Sequence, residues 1–405
     1  MGKVNRCDLK GRMTKTKNGL LPRRFYSLDI LRGLASLSVV LFHWRHGFYQ
    51  CTSHTGFVAE NQPFFFFLQF FYEQGQKAVE LFFTLSGFIF FWLYADRISK
   101  HKISLNEFAL LRFSRLYPLH FSTLLLVLFL QTVYRSSVGC YFIYPFNDSY
   151  HFILQLFFAS NWGFEKGFSF NGPIWSVSIE ILLYIIFFTI SWYKKDKLLF
   201  LILLIIASYV IFYFRGYQLA QGVFSFFIGG ITYRLFSTFY SKMISDKMAV
   251  FLLTATVLVW TLVVLEVHYS FSKPLFSGFL NQLAIAQKYV FLVDRFIPLF
   301  ISVFLFPVTI LALVVWEVRK GSLGKRIAFI GDISYSSYLL HFPLQLATVL
   351  LATKLGYTHA VFESPVLLLV FFAVLIALSF LSHRFFEMPI QGKLRRMVLK
   401  NRQMA

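Results

Sequence analysis

Arg32 and His43 stand in one apolar stretch, Tyr26 to Trp44, long enough to cross a membrane. Ionisable side chains at that depth are costly and mark sites. Eleven residues at 100° each make about three turns, so both side chains leave one helical face, roughly 16 Å apart along the axis. One helix thus carries a fixed cation toward one end and a titratable base toward the other. Imidazole titrates near neutral pH, so His43 suits the removal of a proton from a hydroxyl. Arg112 and Arg115, three apart on one face, offer planar forks that bind oxyanions; with Arg32 they form a candidate anion site. Glu80 and Glu180 open two further apolar segments at a height similar to His43. A carboxylate there could hold the imidazole's tautomer or bind hydroxyls.

Simpler readings stand beside these. Arg112 and Arg115 also satisfy the excess of cations expected at one membrane face. Interfacial Glu residues are often only solvated. Trp175 reads as an interface anchor or as a stacking platform for a sugar ring. Asp29 pairs with Arg32 three residues on. His341, at mid-depth in its span, reads as structural or pore-lining. Ser86 and Ser176 lack a His beside them in sequence and are poor nucleophile candidates. Gly33 and Gly87 suit close helix contact.

The elements that position these residues are membrane spans. Of 405 residues, 57% are hydrophobic, 14% are charged and 54 are Phe. A soluble chain of this size needs more charge to cover its surface. Ten segments are long and apolar enough to span, at 26–47, 77–96, 115–134, 174–193, 198–214, 217–238, 248–267, 296–317, 329–350 and 365–386. The shorter piece 151–162 reads as interfacial or re-entrant. The fold class expected is all-α and polytopic, with no internal repeat. Residues 1–24 form a basic, disordered tail, 25–390 one transmembrane domain, and 391–405 a second basic tail.

Net charge is +21. Lys and Arg crowd the N-terminal tail, alternate loops such as 97–115, 194–197 and 319–326, and the C-terminal tail. The positive-inside rule then places both termini in the cytoplasm. The same rim attracts anionic membrane lipid. Nucleic-acid binding is not expected, because the cations are spread over short loops. No cleavable signal peptide is evident. Cys51 and Cys140 fall in outer loops and Cys7 in the tail; a Cys51–Cys140 disulfide stays open. His43 and His46 lack a nearby carboxylate or thiol to complete a metal set, so no metal is expected.

Five stretches resemble the membrane proteins of acyltransferase family 3, in order. They are Ser27-Leu28-Asp29-Ile30-Leu31-Arg32-Gly33 running on to His43; Val79-Glu80-Leu81-Phe82-Phe83 through Ser86-Gly87-Phe88; Arg112-Phe113-Ser114-Arg115; Trp175-Ser176-Val177-Ser178-Ile179-Glu180 with Tyr184; and Gly331-Asp332-Ile333-Ser334-Tyr335 with Tyr338-Leu339-Leu340-His341-Phe342-Pro343. Phe385-Phe386-Glu387-Met388-Pro389 also fits. The resemblance covers about residues 25–390 and is to the bacterial O-antigen and exopolysaccharide acetylase type. It implies transfer of an acyl group, acetyl foremost, from cytoplasmic acyl-CoA to a hydroxyl of an envelope saccharide or glycolipid, in the inner (plasma) membrane.

Acyl-CoA is then a co-substrate, and no cofactor is held permanently. In that reading His43, Glu80 and Glu180 are catalytic, and Arg32, Arg112 and Arg115 hold the CoA phosphates. Trp175, Ser176 and Tyr184 face the acceptor. The spacing from Arg32 to His43 resembles the reach of the CoA arm. The other class considered is a transporter or flippase for a lipid-linked saccharide. It predicts inverted repeats and Gly/Pro-broken helix pairs, neither of which is clear in the sequence.

Overall fold

The computed structural model describes residues 13–16, 19–22, 24–240, 245–283 and 287–403. The first helices are α1 (Tyr26–His43), α2 (Phe65–Gln74), α3 (Lys77–Phe90), α4 (Asp96–Ser99), α5 (Leu105–Val138) and α6 (Ser149–Leu156). Next come α7 (Trp175–Trp192), α8 (Leu198–Arg215), α9 (Gln218–Tyr240), α10 (Asp246–Tyr269), α11 (Ser272–Gln282) and α12 (Leu292–Phe300). The chain continues through α13 (Phe306–Lys320), α14 (Phe329–Asp332), α15 (Ser334–Lys354), α16 (Pro365–Leu381) and α17 (Met388–Gln403).

Among the described residues, nine helices have the length and hydropathy to cross a membrane. The tenth expected span is α15. It has 21 residues, but Ser336, Ser337, His341 and Gln345 lower its hydropathy, and all four are buried in the bundle. Two ranks of helix follow from burial. Two-thirds of the most apolar windows in α3 and α9 are buried, against 11% in α8 and 17% in α10. The outer helices meet lipid; the inner ones carry the residues singled out above.

Small residues let the inner rank close up. A Cβ added at Gly87 of α3 would lie 1.8 Å from the Phe226 carbonyl oxygen of α9, and one at Gly229 would lie 1.9 Å from that of Thr84. Those backbones touch, so any side chain there forces the helices apart. Gly33 likewise meets the backbone of Ile330.

Helix α1 begins without a cap of its own: Phe25 offers no side-chain acceptor. Glu317 of α13 supplies it, accepting from the amides of Tyr26 and Ser27, each at 2.9 Å, and from Ser27 Oγ at 2.6 Å. A buried carboxylate at a helix N-terminus answers both the free N–H groups and the dipole. Pro343 in α15 lacks an N–H, which leaves the Leu339 carbonyl without its helical partner. Asn171 fills the gap, its Nδ2 donating to that oxygen at 3.0 Å.

Several boundaries differ from the sequence reading. Helix α5 has 34 residues, about 51 Å, and so extends well beyond a hydrocarbon core of about 30 Å. The segment expected at 329–350 starts as the separate turn α14. The boundary drawn at 390 falls inside a helix, because α17 continues α16 through a π-helical segment, Ser382–Glu387, and packs on α5. In the tail expected to be disordered, Met13–Thr16 and Gly19–Pro22 pair as antiparallel strands, with Thr16 opposite Gly19. Cys7 lies outside the described residues. Cys51 and Cys140 form a disulfide that ties the turn after α1 to the end of α5.

Candidate active site

One end of the bundle gathers arginines from three helices. Arg32 of α1 is held by Asp29 Oδ1 at 2.9 Å, the Gly331 carbonyl at 3.0 Å and Ser334 Oγ at 3.2 Å. Arg24 bridges Asp29 and Asp332. Arg112 of α5 is treated differently. Only 9% exposed, it donates to Tyr94 Oη at 2.6 Å, and its guanidinium lies 5.0 Å from the Phe90 ring centre and 5.1 Å from that of Tyr94. Its Nε is buried with no hydrogen bond. Arg115, one turn on, forms no ion pair among the described residues. Arg395 of α17 likewise has a buried Nε without a partner.

These five arginines line one cavity of about 320 Å³, against the carboxylates of Asp29, Asp332 and Glu387. Cation is in excess, and three of the guanidinium groups, those of Arg112, Arg115 and Arg395, form no ion pair among the described residues. Such a site selects an anion with planar or tetrahedral oxygens.

A second, narrower cavity of about 110 Å³ shares Arg32, Arg112, Arg115 and Tyr335 with the first and runs inward to Ser86, Ser176, Glu180, Tyr184 and Tyr338. Glu180 accepts from Ser86 Oγ at 2.9 Å. Ser176 Oγ and Tyr338 Oη lie 2.7 Å apart, and Tyr338 also donates to the Pro173 carbonyl at 2.9 Å. Tyr338 closes this end. Its ring meets that of His341 edge-on, 5.9 Å between centres.

Beyond Tyr338 lies a histidine cluster. His43 is the last residue of α1, and its Nδ1 is 2.9 Å from Nε2 of His341 on α15. His46 follows in a 3-10 turn, Trp44–Phe48, where residues three apart eclipse, and its ring stacks on His43 at 4.7 Å. Gln345, one turn past His341, donates to the His43 carbonyl at 2.8 Å. Among the described residues, no group of three His, Cys, Asp or Glu side chains is arranged to hold a metal.

The geometry therefore brings Arg32, Arg112, Arg115, Ser176, Glu180 and Tyr184 to one connected space, with His43 outside it, reached past Tyr338 and His341. Glu80 is elsewhere. It is 4% exposed and binds Lys77 Nζ at 2.6 Å, Gln221 Nε2 at 2.9 Å and Ser302 Oγ. The cavity-facing stripe of α3 is Val79, Phe82, Phe83 and Ser86, spaced as one helical face; Glu80 lies off it. Neither Glu80 nor Glu180 touches His43. Trp175 packs on the core and lines neither cavity. Sequence reasoning missed Arg395, hidden in a run of tail cations, and the joint position of Tyr338 and His341. The latter had a signal in their three-residue spacing within one motif.

A family model described as an acyltransferase domain matches residues 25–384. No curated protein and no solved structure matches the chain. The match takes in both cavities up to His383 and the whole histidine cluster, and so the chain belongs to acyltransferase family 3 of membrane proteins.

Proposed function

We propose that this membrane acyltransferase moves an acyl group, acetyl foremost, from acyl-CoA to a hydroxyl of an envelope saccharide or glycolipid. The observation that carries the reading is the set Arg112, Arg115 and Arg395, without ion pairs around a cavity whose narrower continuation ends at Tyr338, against the histidine cluster. CoA is an anionic head on a long arm ending in a thioester. The head sits among the arginines, with Arg32 positioned by Asp29, and the arm enters the narrower cavity past Glu180 and Tyr184. An acceptor hydroxyl comes from the other end. His43 takes its proton as the oxygen attacks the thioester carbonyl. A C–O bond forms, the C–S bond breaks, and the proton passes to the departing sulfur, giving ester and CoA thiol. Holding both substrates in a narrow channel contributes by positioning.

Two signals support the sidedness. The arginine-rich end continues the charge excess of the alternate loops, which favours the cytoplasm, where acyl-CoA is made. The opposite end carries the Cys51–Cys140 disulfide, which suits an oxidising exterior. Both termini are then cytoplasmic, and the protein sits in the inner (plasma) membrane.

The test uses purified protein, acetyl-CoA labelled in the acetyl group, and envelope glycans. Label is expected in a base-labile glycan ester. Absence of ester formation from acetyl-CoA and from longer acyl-CoAs, with CoA bound normally, overturns the assignment.

A further inference from the structure

We infer that His341 sets the working tautomer of His43, accepting its Nδ1–H and leaving its Nε2 free to take the proton. The inference rests on the reading of His43 as the base. Nδ1 of His43 and Nε2 of His341 lie 2.9 Å apart with ring planes 7° from parallel. One proton fits between two ring nitrogens. If it belongs to His341, neutral His43 carries its own proton on Nε2 and cannot accept another there. If it belongs to His43, Nε2 is bare.

The surroundings of His341 favour the second arrangement. Its Nδ1 is buried without a close hydrogen bond. The polar groups the ring faces on its own helix are the carbonyls of Ser337 and Tyr338, a turn back. Carbonyls only accept, so they favour a proton on Nδ1 and leave Nε2 as the acceptor toward His43. His341 thereby takes the place of the carboxylate in a hydrolytic triad, which no Glu or Asp occupies among the described residues. Helix α15 holds His43 at two points one turn apart, the ring through His341 and the backbone through Gln345. His46 stacks on a face of the His43 ring. His341 is a positioning residue; it acts on the hydroxyl through His43.

The test reads CoA thiol release from acetyl-CoA by the full-length protein in membranes containing the native acceptor pool. In His341→Gln the amide oxygen falls near the place of Nε2 and can accept. His341→Phe keeps the ring and loses the acceptor. Expected are a kcat lowered on the order of 10²–10⁴-fold for Phe, KM for acetyl-CoA within twofold, and at least a tenth of wild-type kcat retained by Gln. If the Phe variant is not stably folded, His341→Asn, one bond too short, serves as the low-activity arm. Equal activity of Gln and its low-activity counterpart, or a Phe variant within threefold of wild type, overturns the inference. His43→Ala separates the two claims: activity there overturns the base itself, whatever His341 does.

Discussion

Two buried charged clusters stand within one bundle, and they are built on opposite principles. Around Glu80 every partner is present: Lys77, Gln221 and Ser302 join α3, α9 and the π-helical segment Ile301–Leu305. Around Arg112 the partners are withheld. Aromatic rings and a tyrosine hydroxyl surround the cation, one nitrogen is unbonded, and Arg115 and Arg395 add charge without an ion pair among the described residues. A satisfied buried charge holds helices together. An unsatisfied one is costly unless something else supplies the counter-charge. The difference suits a structural role for the first cluster and the proposed ligand for the second.

The largest expected effect lies past the end of the open cluster. His43→Ala removes the proposed base and should lower transfer on the order of 10²–10⁴-fold, with CoA affinity unchanged. Single-turnover transfer beside a CoA-binding curve checks it; activity within twofold of wild type sinks the role. His43→Gln should fail equally, since an amide takes up no proton.

Glu80→Ala probes the closed cluster. It strands Lys77 and leaves Ser302 and Gln221 without their acceptor, at a cost of about 3–5 kcal/mol in stability. Thermal unfolding in detergent should show the loss, while the folded fraction keeps its CoA affinity. A stable variant with weakened catalysis would instead move Glu80 into the chemistry and erase the contrast.

Arg112→Ala probes the open cluster and should do the reverse. Loss of charge-assisted bonds to a phosphate weakens CoA binding by about 10- to 100-fold. Stability should hold or rise, because an unneutralised buried cation is gone. Arg112→Lys should restore part of the affinity at most, lacking the fork. Unchanged CoA binding would return Arg112 to a topological role.

Much of this contrast was legible in the sequence, and the limit is instructive. Arg32 and His43 stood out because ionisable groups inside apolar runs are rare; Arg112 and Arg115 stood out as two guanidinium forks three apart on one face at the mouth of a span, within a family motif. Glu80 and Glu180 looked alike, since both open a span at one height. They part company by rotation. Glu180 shares its stripe with Ser176, Val177 and Tyr184 on the cavity side of α7, whereas Glu80 turns toward α9. Which face of a span looks inward depends on neighbours that one chain's order does not name. His341 and His43 meet across 298 residues, a pairing no local pattern carries. Helix α15 was recognisable by length although its polar residues make it the least typical span; they are polar because they face other helices.

The smallest effect is expected at Arg24, and it sharpens the rule within the arginine cavity itself. Arg24 lines the same mouth as Arg112 and carries the same charge. Its forks, however, already hold Asp29 and Asp332, and its side chain is 43% exposed. An exposed ion pair contributes about 0–1 kcal/mol, and a guanidinium bound to two carboxylates has little left for a phosphate. Arg24→Ala should therefore change CoA affinity less than threefold and stability by no more than about 1 kcal/mol. Isothermal titration with CoA on both variants reads the difference directly. Comparable losses for Arg24→Ala and Arg112→Ala would mean that proximity to the cavity, rather than the absence of an acid partner, decides which arginines bind the ligand.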